Sequence, residues 1–343
     1  PYETKFIFFL NHNEKKFFKE KKGTVIINHD FKGFFPRFLS GNINKLKSKS
    51  SLTHTFYDTS KLKDKSSYWK NPNVYKFYDS SVSFPLFNKN NKSGRNFAYG
   101  VREFPMGTIN NGIAQHGGLK VFGATFFAFS DYERPALRLR ALQKLPVITE
   151  YTHDSIYVGE DGPTHQPIEH LMACRAIPDL MVFRPADANE VSIASKLAFE
   201  YSDRASIILL TRQKLPVLDR NKYAHFNDFE KGAYIISDYD RENPEISIFA
   251  SGSEVSLALD VKETLKDQFN IRVVNFGCWE LFDIQPKEYR ENIIYDSSFK
   301  VSIEAGITQG WEKYTGNCTL NTLNIGINCF GESAPGKEVA DHF

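Results

Sequence analysis

The chain has 343 residues, long for a single hydrophobic core, and the usual ~100–200 residues per domain predicts two domains. Hydrophobic residues make up 41% and charged residues 24%, which excludes a wholly disordered, collagenous or coiled-coil chain. The net charge of +2 conceals an asymmetry, because residues 1–95 carry 19 Lys and Arg against 7 Asp and Glu while the remainder carries 24 against 34.

The first 95 residues are the least orderly. Lys, Asn and Ser crowd residues 41–67 and 88–93, a composition that buries little apolar area and predicts loops, with aromatic residues such as Phe34, Tyr68 and Trp69 available to dock on a core. No nucleic-acid motif accompanies the positive charge, so a solvated basic segment is expected rather than a nucleic-acid partner. The apolar runs at 6–10 and 207–210 fall far short of the ~20 residues that span a bilayer, so no membrane partner is expected. The chain opens on Pro1, so no secretory leader can be read and a cut end is expected there. Cys174, Cys278, Cys318 and Cys329 show no CxxC spacing and read as buried free thiols of a reducing, cytoplasmic compartment.

From residue 96 short apolar runs alternate with helical periods. Residues 145–151 (LPVITEY), 180–184 (LMVFR) and 206–210 (SIILL) are strand-like, and 166–175 and 188–201 read as helices. This alternation predicts a parallel sheet with helices on both faces. After a polar stretch near 219–228 a second α/β unit follows. Its strands are expected at 246–250, 271–276 and 300–305, and its helix at 254–269, with Ser253 placed to cap it. The expected division is 1–95, an atypical basic part with an insertion at 54–94, then 96–220, then 221–343.

Three clusters carry candidate chemistry. The densest is 152–170, THDSIYVGEDGPTHQPIEH, which follows the strand at 145–151 directly. Ligands of open parallel sheets bind outside the carboxyl ends of strands, which favours a binding site here. A polar surface loop is the alternative. His153, Asp154, Asp161 and His165 could also ligate a metal, but HExxH and any i, i+4 histidine pair are absent, so no metal is expected. The second cluster is YGVREFPM at 99–106. The third is TFFAFSDY at 125–132; if helical, it sets Phe126, Phe129 and Tyr132 on one stripe, by itself the mark of core, with Pro135 kinking or breaking the helix.

Together YGVREFPM, TFFAFSDY, THDSIYVGEDGPTHQPIE, RPADANEV and LTRQKLP resemble the transketolase family. The likeness is strong over 96–220, continues through IFASGSEVSLA and IEAGIT…FGESAPG, and is faint before residue 96. It implies two three-layer α/β domains: a thiamine-diphosphate pyrimidine-binding fold followed by a transketolase C-terminal-like fold. The family's first domain, whose Gly-Asp-Gly motif holds the diphosphate through a divalent metal (Mg or Ca), has no counterpart in the sequence.

The resemblance further implies a dimeric transferase of the pentose phosphate pathway. Such an enzyme moves a two-carbon ketol group from a ketose phosphate to an aldose phosphate through a thiamine diphosphate ylide. Glu103 matches the family's catalytic glutamate, which protonates the aminopyrimidine ring, a duty that calls for a buried carboxyl whose pKa desolvation raises toward working pH. Phe126, Phe129 and Tyr132 match the rings that pack on the pyrimidine, which turns the stripe from core into pocket wall. His153 and Arg212 match sugar-phosphate contacts. Asp161 matches the acceptor of a substrate hydroxyl beside the carbonyl, and His165 a histidine that shuttles a proton at the reacting oxygen.

The sequence also departs from the family. Tyr157 stands where Gly is usual and would crowd the loop, Lys21 replaces a phosphate-binding Arg, and Asn44 replaces an Asp. The family's phosphate-binding Ser falls at Ser50 or Ser48. The chain alone is expected to be inactive, and to act within a homodimer or beside a diphosphate-domain partner chain. The alternatives are a β-like subunit of a split or related thiamine-diphosphate enzyme and a non-catalytic dimerisation module.

Overall fold

The computed structural model describes residues 24–26, 87–92, 96–238, 243–296, 298–316 and 320–343. Lys21, Asn44, Ser48, Ser50, Cys318 and most of the 54–94 insertion lie outside the described residues. By backbone proximity the chain divides into two units, Pro1–Ala124 and Thr125–Phe343, and each is taken by itself.

In the first unit, strand β1 (Thr24–Ile26) pairs in parallel with β2 (Leu119–Phe126), Thr24 opposite Leu119. Helix α1 (Glu103–His116) buries Met106, Gly107, Asn110 and Asn111, and Glu103 in its first turn complements the helix dipole. Asn110 accepts a 2.8 Å hydrogen bond from the Tyr99 hydroxyl. Gly123 brings β2 close to α1, since a Cβ there would stand 2.4 Å from the Asn110 amide nitrogen.

The second unit holds two sheets. In the first, β3 (Val147–Thr152) and β4 (Leu180–Phe183) flank β5 (Ala205–Leu210), all parallel, with Thr152 opposite Leu210. Every residue of the three strands is buried, which is why they read as near-continuous apolar runs. Helices α2 (Ser130–Leu142), α3 (His170–Arg175) and α4 (Ala188–Glu200) accompany them. Asp187 caps α4 by accepting from the Glu190 amide at 2.9 Å. Residues 125–132 are not one helix. β2 ends at Phe126, a 3-10 turn spans Phe127–Phe129, and α2 starts at Ser130 and runs through Pro135 unbroken. Helix α3 starts at His170 rather than at 166, because Pro163 and Pro167 hold the preceding chain in turns.

The second sheet runs β10–β9–β7–β8–β6: β10 (Thr322–Ile325), β9 (Phe299–Ile303), β7 (Ile246–Ala250) and β8 (Ile271–Asn275) are parallel, and β6 (Tyr234–Ser237) pairs antiparallel with β8. Helices α5 (Glu254–Leu265), α6 (Trp279–Asp283), α7 (Lys287–Ile294), α8 (Glu312–Thr315) and α9 (Gly336–His342) complete it. Its core is aromatic: Phe249, Phe276, Trp279, Phe282, Trp311 and Tyr314 pack together. Ser253 does not cap α5; its hydroxyl donates instead to Glu254 at 2.6 Å, drawn by the carboxylate. Among the described residues no helix is long and apolar enough to cross a membrane.

Candidate active site

The sheet of the second unit gathers the candidate residues at strand carboxyl ends. Phe126 is the last residue of β2, His153 follows the last residue of β3, and Arg212 lies two residues beyond β5. Because Thr152 and Leu210 are register partners, the segments leaving β3 and β5 emerge side by side. This is where parallel α/β sheets bind ligands.

At His153 the backbone turns through a left-handed conformation, φ 59°, costly for a residue with a Cβ. The turn lays the imidazole on Phe126, ring centroids 3.7 Å apart and planes 17° apart. Phe126 in turn stacks nearly parallel to Phe129 at 6.0 Å, and Phe129 meets Tyr132 at 6.0 Å and the His165 ring edge-on at 5.3 Å. Five predicted site residues thus form one contiguous group. Phe126 and Phe129 are only half-buried and Tyr132 is 65% exposed, so these rings are a surface and not core. His153 takes one face of Phe126, and the exposed parts of Phe129 and Tyr132 suit a planar aminopyrimidine, which is the fit that thiamine diphosphate requires of this part of a site.

Charge surrounds the rings. Burial, then the Arg212 guanidinium, lower the His153 pKa from its ordinary value to about 4, against the opposing pull of Asp161. Its Nδ1 lies 2.9 Å from the Thr152 hydroxyl. Arg212 stands 3.9 Å from Glu160. Asp161 is exposed, and His165 Nδ1 is 2.9 Å from the Thr164 hydroxyl. Glu103 is half-buried at the first position of α1 in the other unit. The Tyr157 ring is partly buried. It packs on the apolar cluster of Ile156, Ile168, Ile327 and Val339, because burying the ring there removes it from water.

Residues that sequence reasoning passed over hold these loops. Arg184 donates to Asp154, next to His153, at 2.9 Å, and to Glu254 at 2.5 Å and the Ser251 carbonyl at 2.7 Å. Burial pushes the Asp154 pKa up, and the Arg184 charge pulls it back. Gln166 ties the 156–165 loop to Glu332. The usable signal lay in Gly331 and Gly336, glycines that mark close backbone approach. A separate group of Asp131, Glu169 and His170 has the spacing of a cation site, but the His170 Nε2 is already paired with Asp131 at 3.2 Å.

Two α/β sheets, with aromatic and ionisable groups assembled at the carboxyl edge of the first, define an α/β chain with a half-open aromatic group at its strand ends. Comparison with known proteins narrows the class. The description "Transketolase, pyrimidine binding domain" fits residues 38–217, and "Transketolase-like TK C-terminal domain" fits residues 232–343. The chain is 48% identical over 259 residues to the transketolase of Aquifex aeolicus, covering 75% of this chain and 37% of that one. It is 47% identical over 264 residues to the chloroplastic transketolase of Solanum tuberosum, covering 76% and 35%. The solved transketolase of Leishmania mexicana superposes with a TM-score of 0.71 at 39% identity, covering 77% of this chain and 38% of that chain. A split-gene transketolase, described as an inactive β4 tetramer, shares the fold at 22% identity and a TM-score of 0.59, covering 75% of this chain and 86% of its own. The chain belongs to the transketolase family. It spans less than two fifths of the length of these curated relatives.

Proposed function

We propose that this chain supplies the pyrimidine-binding and C-terminal parts of a transketolase that transfers a two-carbon ketol group from a ketose phosphate to an aldose phosphate. The observation that carries the reading is the joining of Phe126, Phe129, Tyr132, His153 and His165 into one half-open group at the strand ends. Thiamine diphosphate, when bound, supplies the carbanion chemistry, and the protein supplies placement and field. Phe126, Phe129 and Tyr132 would hold its pyrimidine, each ring pair contributing ~0.5–1.5 kcal/mol beyond burial. Glu103 holds a proton for the pyrimidine ring nitrogen. Asp161 accepts a hydrogen bond from the substrate hydroxyl beside the carbonyl, so an aldose lacking that hydroxyl leaves the carboxylate unpaired. His165 moves a proton at the reacting oxygen. Arg212, with its planar fork of donors, meets the phosphate together with His153 and with Ser50, which lies outside the described residues.

The divalent metal and the diphosphate belong with a diphosphate-binding part, contributed by a partner subunit or partner chain, and a dimer of these parts is the working form. The free thiols of Cys174 and Cys278, which are buried, and of Cys329, which is exposed and not buried as expected, favour a reducing compartment such as the cytoplasm, and the pentose phosphate pathway is the metabolic setting. Inactivity of the chain by itself is the expectation that follows from this reading. The test is ketol transfer assayed with and without an added diphosphate-domain chain. Turnover is expected only in the mixture, and Glu103→Gln is expected to reduce it at least ~100-fold, the range of general acid–base catalysis. Turnover by the chain alone, or survival of the mixture's activity in Glu103→Gln, overturns the assignment.

A further inference from the structure

The loop bearing Asp161 and His165 has little regular structure of its own. Short 3-10 turns at Ile156–Asp161 and Pro163–His165 are closed by backbone bonds from Val158 to Ser155, Gly162 to Gly159 and His165 to Gly162. Its shape is set from outside, by residues 331–336 (GESAPG) of the C-terminal half. The Gln166 side-chain amide, 3% exposed, donates to the Gly159 carbonyl and to the Glu332 carbonyl, both at 2.9 Å. Two carbonyl acceptors fix the amide's orientation, since only nitrogen can satisfy both. The Ser333 hydroxyl donates to the Glu160 carbonyl at 2.8 Å.

The backbones also interlock. A Cβ on Gly159, at φ 81°, would stand 2.9 Å from the Gly336 nitrogen, and one on Gly336 would stand 2.8 Å from the Tyr157 carbonyl oxygen. A Cβ on Gly331 would lie 1.8 Å from the Gln166 side-chain oxygen. Val339 on α9 anchors the same seam in the cluster with Ile156, Ile168 and Ile327. The loop that bears Asp161 and His165 is therefore held at two neighbouring backbone carbonyls, Gly159 through Gln166, which is itself bonded to Glu332 166 residues away, and Glu160 through Ser333, 173 residues away.

We propose that Gln166 and the 331–336 segment are positioning elements for Asp161 and His165, so that the C-terminal half sets how strictly the site demands a hydroxyl beside the aldose carbonyl. A hydrogen-bonding carboxylate selects only when it is held to a fraction of an ångström, and these bonds reach the backbone within two residues of Asp161. The inference rests on the substrate role given to Asp161 above.

Two measurements test it. In the chain alone, Gln166→Leu is expected to speed hydrogen exchange at the Gly162 and His165 amides about tenfold, the effect of a lost hydrogen bond of ordinary strength, and to leave the β5 amides unchanged. In the mixture with a diphosphate-domain chain, the ratio of kcat/KM for a hydroxylated aldose phosphate over its 2-deoxy analogue is expected to fall about tenfold in Gln166→Leu. It should fall comparably in Asp161→Ala, and no further in the double variant, because the two act as one unit. Gly331→Ala, which pushes on the same amide, repeats both measurements should Gln166→Leu fail to fold. An unchanged ratio in these brace variants beside a fallen ratio in Asp161→Ala overturns the positioning role and leaves the transketolase reading standing, whether or not exchange quickens. An unchanged ratio in Asp161→Ala removes the substrate role of Asp161, and the inference falls with it.

Discussion

His153 shows how one side chain's surroundings decide the chemistry open to it. The left-handed turn at the end of β3 commits the imidazole to the face of Phe126, and that burial, reinforced by Arg212, favours the neutral ring. At pH 7 His153 is then a neutral hydrogen-bonding group and not a cation, and the positive charge beside it is that of Arg212. The imidazole is expected to titrate at about 4 in the folded chain, against ~6.5 for an unperturbed histidine, when followed by NMR. Phe126→Ala, which uncovers the ring, should move the midpoint upward, and Arg212→Gln should do the same by removing the second cause. The folded value lies below the unfolded one, so the stability this group confers is complete above ~6.5 and is lost as pH falls through the folded value. A midpoint of 6 or higher in the parent chain contradicts this account.

Strand β3 was legible as a strand because parallel strands buried on both faces demand apolar runs, and the same holds for β4, β5 and β7. What the run LPVITEY does not reveal is the cost carried by Glu150. It sits 2% exposed in mid-strand with one carboxyl oxygen lacking a hydrogen-bond partner, and burial raises its pKa well above the ordinary value. A folded pKa above the unfolded one leaves stability whole below ~4.3 and erodes it as pH rises toward the folded pKa. Glu150→Gln removes that erosion. In urea denaturation the variant should exceed the parent at pH 8 by ~1–3 kcal/mol and match it near pH 4; equal stability at both values would show that the carboxyl is not penalised. Elements failed to be legible where local chemistry competed with the periodic pattern. Two prolines pushed the start of α3 to His170, and a neighbouring carboxylate took the Ser253 hydroxyl from the helix end. In the site, Phe126, Phe129, His153 and His165 lie within 40 residues of one another and carry a recognisable motif. Gln166 and Arg184 meet partners 166 and 70 residues away, and no local pattern announces such pairs.

Across residues 125–343 the two sheets are joined by buried ionic groups as well as by the apolar cluster of Ile156, Ile168, Ile327 and Val339. Arg184 bonds to Asp154 on one side and to Ser251 and Glu254 on the other. Arg175 forms a fork with Glu304 at 2.7 and 2.9 Å while its guanidinium lies 3.9 Å over the Trp279 ring, and Trp311 donates to the same carboxylate. Burial alone would raise the Glu304 pKa, but Arg175 and Arg184 hold it below the ordinary value. Glu190, raised by burial and by Asp187, accepts from Asn275 of β8 and from Arg220. Pairs of this kind add modestly when whole and cost ~3–5 kcal/mol when one partner is removed, because the other charge is stranded in low dielectric. That loss is a large share of the 5–15 kcal/mol by which a folded domain is ordinarily stable. The seam is therefore expected to make the two sheets unfold together. Arg184→Met leaves Asp154 and Glu254 stranded, so calorimetry should show the single transition of the parent split into two, the lower one shifted down by several degrees. Adding Asp154→Asn and Glu254→Gln to Arg184→Met neutralises both stranded groups and should recover part of the loss. One transition with an unshifted midpoint in Arg184→Met would mean that apolar packing, and not this arginine, couples the sheets.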